Sequence, residues 1–161
     1  MNYLKSRISQ HGFTIVELLV VVAVAGMLLA LVVANYRESK ISSRNAKRLQ
    51  DIREIQNALD LYHTNNRSYP GTADVPGPVT TELTALVNDG YIKALPSDSL
   101  GGNFNYMYCP SDSVGGPQVY TLRAKLELEK GANPAALSKD IDGTSYECDC
   151  ADSNQYYCVG S

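Results

Sequence analysis

The hydrophobic pattern changes twice along the chain. Residues 18–34 are uniformly apolar, with Gly26 as the one small break, and the only charge between Phe13 and Ala34 is Glu17. That stretch holds 22 residues, about 33 Å as a helix against a hydrocarbon core of about 30 Å. Beyond Ala34 the pattern becomes one-sided: Leu49, Ile52, Ile55, Leu59 and Tyr62 recur at spacings of three and four, the signature of a helix with one buried stripe. No proline occurs before Pro70. The pattern therefore predicts one helix over residues 14–64, about 75 Å long, ended by Asn65-Asn66 and Tyr69-Pro70-Gly71.

After this helix the period shortens. Residues 71–79 read as a Gly/Pro loop, and 81–88 as a short helix with Leu83, Leu86 and Val87 inward, stopped by Asp89-Gly90. Residues 104–109 read as a strand. In 119–129, Tyr120, Leu122, Ala124, Leu126 and Leu128 alternate with Thr121, Arg123, Lys125, Glu127 and Glu129, which predicts a strand with one face on the helix stripe and the other in water. Residues 146–150 and 156–159 are expected to form a hairpin around Asp152-Ser153-Asn154. The expected fold is α+β: a small antiparallel sheet packed on the C-terminal half of a long helix.

Charge divides the chain. Residues 37–53 carry six bases and two acids, a net of +4, whereas residues from Glu54 onward carry 14 acids and six bases, a net of −8. An acidic body argues against nucleic acid as a specific partner. The basic stretch reads either as a solvated helix face or as a surface for anionic lipid headgroups. Enzyme chemistry has no support: no GxSxG elbow, P-loop or HExxH motif is present, and His63 reads as a packed or surface histidine.

All four cysteines (Cys109, Cys148, Cys150, Cys158) fall in the last third, which suggests two disulfides formed in an oxidising compartment. The CxC spacing and the remote histidines disfavour zinc. Basic residues are more numerous after the apolar run than before it, which by the positive-inside rule alone would place the body in the cytoplasm. The cysteines place it outside.

Gly12-Phe13-Thr14-Ile15-Val16-Glu17-Leu18-Leu19 resembles the N-terminal signature of type IV pilins and pseudopilins. Residues 51–70 resemble the matching region of the major pseudopilins of type II secretion. The resemblance implies a leader at 1–12, a membrane-spanning stem at 13–35 and an extracytoplasmic body at 36–161. It implies cleavage between Gly12 and Phe13 by a prepilin peptidase, N-methylation of Phe13, and a role for Glu17 in assembly, opposite the terminal amine of a neighbouring subunit. It also implies related pilin subunits, a membrane assembly platform and membrane lipids as partners. The chain would be single-pass in the cytoplasmic membrane and built into a surface pilus or a periplasmic pseudopilus. The function implied is a non-catalytic filament subunit. A minor pilin that binds DNA or surfaces, and a secretion pseudopilin that moves exported proteins, are the alternatives.

No cofactor is expected, calcium excepted. Asp140-Ile141-Asp142-Gly143 lacks the rest of an EF-hand loop, but the resembled pseudopilins bind calcium in a C-terminal loop, which makes Asp98, Asp140 and Asp142 candidates. In the proposed hairpin, Cys148 faces Cys158, which leaves Cys150 for Cys109. A one-residue slip would favour Cys150–Cys158 with Cys109–Cys148 instead.

Overall fold

A computed structural model describes residues 12–71, 75–113, 116–128, 137, 139–145 and 148–161. The expected leader, apart from Gly12, lies outside them. Contacts divide the chain into two compact units, Met1–Lys40 and Ile41–Ser161.

Helix α1 spans Ile15–Asn66, close to the span that the periodicity predicts. It opens with a reciprocal cap. The Thr14 hydroxyl accepts from the Glu17 N–H at 3.2 Å, while a Glu17 carboxylate oxygen accepts from the Thr14 N–H and hydroxyl, both at 3.1 Å. This is the T-x-x-E capping box, which satisfies donors that a helix start would otherwise leave open. Over residues 15–30 the helix is apolar apart from Glu17 and exposed on every side, as at Ile15 (85%), Leu19 (67%) and Leu29 (65%).

In the second unit α1 turns one face inward. Ile52, Ile55, Ala58 and Leu59 are buried together with Tyr106, Tyr108, Tyr120, Leu122 and Ala124 of the sheet and Val79, Leu83 and Leu86 below it. Each fully buried aliphatic side chain contributes about 1.5–3 kcal/mol. The helix ends where Arg67 takes a left-handed conformation, φ 61°. Its carbonyl accepts from the Gln118 side chain at 3.0 Å.

The predicted helix at 81–88 is two short turns, α2 (Val79–Glu82) and α3 (Thr84–Asn88). The body's sheet has four strands in the order β1-β2-β3-β6, all antiparallel: β1 (Gly77–Pro78), β2 (Met107–Ser113), β3 (Gly116–Lys125) and β6 (Tyr156–Gly160). Two-residue β1 falls in the segment read from sequence as loop. Residues 102–104 form a 3₁₀ turn, so β2 starts three residues later than expected.

Two expectations are corrected. First, among the described residues the expected 146–150/156–159 hairpin does not form; residues 146 and 147 lie outside the description. β5 (Cys148–Asp149) pairs with β4 (Thr144–Ser145), and β6 pairs with β3, Leu122 opposite Val159 and Lys125 opposite Tyr156. β3 offers β6 a longer edge and lets Tyr157 and Val159 pack on the core, a gain that a local hairpin lacks. Second, the outward face of β3 is not simply solvated. Thr121 is fully buried and Arg123 and Lys125 are half-buried, as is Glu127, which lies beyond the strand because β3 ends at Lys125 rather than at 129.

Candidate functional site

Among the described residues, three places bear on the expected chemistry. The first is the N-terminal signature, where Gly12 and Phe13 are exposed and Glu17 caps α1. Exposed apolar surface on this scale marks a membrane or an assembly partner. Among the described residues no helix is long and apolar enough to cross a membrane. The described side chains of the run stop at Ala30, since those of 31–35 lie outside the description.

The second is a buried ion network where α1 meets the body's loops. Arg48 has 1% of its side chain exposed. Its Nε donates to Asp98 at 2.6 Å, one terminal nitrogen reaches Glu127 at 2.7 Å and Asn45 at 2.8 Å, and its plane lies 4.6 Å from the Phe104 ring centre. Arg44 grips the same Glu127 carboxylate through two nitrogens, and Asn45 also bonds the Glu127 backbone. The paired hydrogen bonds from Arg44 hold Glu127 below its ordinary pKa; burial opposes this, and Arg48 adds to it. Below the network, Asp51 accepts from the Tyr106 hydroxyl at 2.8 Å. Burial first, and then this bond, hold the Tyr106 phenol well above its usual pKa. Two of the six bases of the stretch after the stem are thus structural, while Arg37, Lys40, Lys47 and Arg53 stay exposed.

The third is the C-terminal segment. The disulfides are Cys109–Cys148 and Cys150–Cys158. This is the pairing that a slipped register would favour, not the one that the expected hairpin implied. The four cysteines and Ile141 form a second small core. Beside it, carboxylate oxygens of Asp140, Asp142 and Asp152 lie within 4.8 Å of one another. One oxygen of Asp140 accepts from the Cys158 N–H at 2.9 Å. The other, and one of Asp152, are buried without a hydrogen-bond donor. Burial, and then neighbouring carboxylates, push both acids above their ordinary pKa. Sequence reasoning missed Asp152, because only the fold of the disulfide-held segment brings it to Asp140. Asp98 does not join this group: its carboxylate is engaged by Arg48 and by the Leu100 N–H at 2.8 Å.

A capped, all-apolar N-terminal helix leading into an α+β body defines the class of pilin-like subunits. Residues 7–33 match the prokaryotic N-terminal methylation motif. Residues 35–127 match the family described as type II secretion system (T2SS), protein G, and the chain belongs to that family. It is 37% identical over 126 residues to the type II secretion system core protein G of Vibrio cholerae, covering 75% of this chain and 85% of that protein. It is 39% identical over 101 residues to that of Escherichia coli (59% and 70%), and 36% identical over 125 residues to that of Pseudomonas aeruginosa (73% and 86%). No solved structure matches the chain significantly. The family match stops short of β4–β6, the acidic group and three of the four cysteines.

Proposed function

We propose that the protein is the structural subunit of a secretion pseudopilus. A peptidase cuts between Gly12 and Phe13 and the new terminus is methylated. The stem holds the chain in the cytoplasmic membrane as a single span, with the body outside. Subunits then leave the lipid through the assembly platform by packing stem against stem. The observation that carries this reading is residues 15–30 of the helix, exposed on every side and apolar but for one acid in the first turn. Lipid and neighbouring stems are equally apolar, so packing rather than water exclusion drives association.

Glu17 has a place in this scheme. Both Thr14 donors use the same carboxylate oxygen, which leaves the second to face the terminal amine of a neighbour. An uncompensated charge in a low-dielectric bundle costs about 3–5 kcal/mol. Glu17→Ala and Glu17→Gln should leave membrane insertion and cleavage intact and sharply lower filament yield. Unchanged filaments from both variants would refute the role.

The acidic group supports a second element of the reading, a calcium site. Hard oxygen donors clustered at this spacing suit Ca²⁺, and the two buried oxygens without donors are what a cation would satisfy. Asp140, Asp142 and Asp152 would hold it. Calcium should raise the melting temperature of the wild type, by RT ln(1 + [Ca]/Kd) in free energy. It should leave that of an Asp142→Ala/Asp152→Ala variant unchanged.

A further inference from the structure

The face of the sheet turned away from α1 has two halves. At one, Cys109 and Gly160 flank Thr121 in register, and Thr121 is fully buried. At the other, Arg123 and Lys125 stand two residues apart on one strand and so share a face. Tyr156 lies opposite Lys125. The Arg123 guanidinium sits 4.3 Å from the Tyr156 ring centre, and the Lys125 ammonium sits 5.8 Å from it and 5.9 Å from that of Phe104. Two cations thus meet one ring on the sheet, and Lys125 also lies near Phe104 of the 3₁₀ turn, whose ring Arg48 faces as well. Arg123 also donates to the Asp149 backbone carbonyl at 3.3 Å. Among the described residues neither Arg123 nor Lys125 makes an ion pair, whereas Arg44 and Arg48 make three.

This arrangement stands out against the body's charge. Two of the six bases that follow Arg53 share this patch, in a stretch that from Glu54 onward has a net charge of −8. The rings hold the two side chains in place, so little rotamer freedom is left to lose on binding. We infer that this patch is a subunit contact, taking carboxylates from the acidic body of a second copy. The inference rests on the filament reading. In a filament the neighbouring surface is another copy, and it presents exposed acids at Glu54, Asp60 and Asp89. Like-charged bodies packed side by side repel, and a cationic patch meeting a different, acidic surface offsets this. Such a contact is heterologous, the kind that propagates into an open helical assembly.

The test uses filaments of the full-length protein formed in cells, treated with a carbodiimide, which joins an amine to a carboxylate only in direct contact. The wild type should give covalent dimers in which peptide mapping finds Lys125 joined to an Asp or Glu of the other copy. Lys125→Arg keeps the charge and removes the amine. It should assemble normally and lose that link. Arg123→Gln/Lys125→Gln should be processed and show wild-type circular dichroism, yet give severalfold fewer filaments, and wild-type filaments should loosen as salt rises. Dimers that never contain a Lys125 link, or normal filament yield from the double variant, would overturn the inference. Absence of wild-type filaments would instead refute the filament reading itself.

Discussion

Arg48 and Glu127 show what single residues contribute to this body. Removing one partner of a buried ion pair costs about 3–5 kcal/mol, because the other charge stays behind. Arg48→Ala would strand Asp98, which is 4% exposed. It should lower the stability of the body by that order in a denaturant melt. Arg48→Met with Asp98→Leu should recover much of the loss, since apolar replacement of a whole buried pair is often neutral. Glu127 has a lowered folded pKa, caused first by its Arg44 hydrogen bonds. A carboxylate with a lowered folded value stabilises at pH above its ordinary value, and that stability fades as pH falls through the folded value. The body should therefore lose stability as pH drops below about 4.3, and Glu127→Gln should flatten this slope. Asp140 has the opposite sign. Its folded pKa is raised, mainly by burial, so its contribution is lost as pH rises. Asp140→Asn keeps an oxygen for the Cys158 N–H, and it should raise the neutral-pH melting temperature of the cation-free protein.

Among the elements, β6 depends most on non-local bonds. It is held by β3 on one side and tied to the segment that follows β5 by Cys150–Cys158, a loop of separation 8, whereas Cys109–Cys148 closes a separation of 39. Restriction of the unfolded chain scales with loop size, which gives about 2.5 kcal/mol for the first and about 4 kcal/mol for the second. Paired Cys→Ala variants compared by thermal melts should fall in that order. Gly160 is a further constraint: a Cβ there would collide with the Tyr120 carbonyl oxygen, so Gly160→Ala should loosen the β3–β6 pairing. The helix and the N-terminal signature were legible in sequence, because a period of 3.6 and the T-x-x-E spacing are local. The cap is equally local, since Thr14 and Glu17 lie three residues apart. The pairing of β6, the burial of Thr121, the Arg48 network and the meeting of Asp140 with Asp152 join residues distant in sequence. Alternation marks β3 as a strand but does not say which strand takes its open edge.

The whole molecule combines a helix whose residues 15–30 have no buried face with a body that has a complete core. Exposed apolar surface of that extent calls for lipid before assembly and neighbouring stems afterwards. Mature protein should begin at a methylated Phe13, which intact mass and N-terminal sequencing would show. A mature chain that retains Lys5 would contradict the processing step. Filament assembly is tested most directly by negative-stain microscopy of material sheared from cells that overproduce the protein, labelled with antibody to the body. Label at regular intervals along the whole length of the fibres is the expected result; fibres labelled at the tip alone, or not at all, would refute the filament reading.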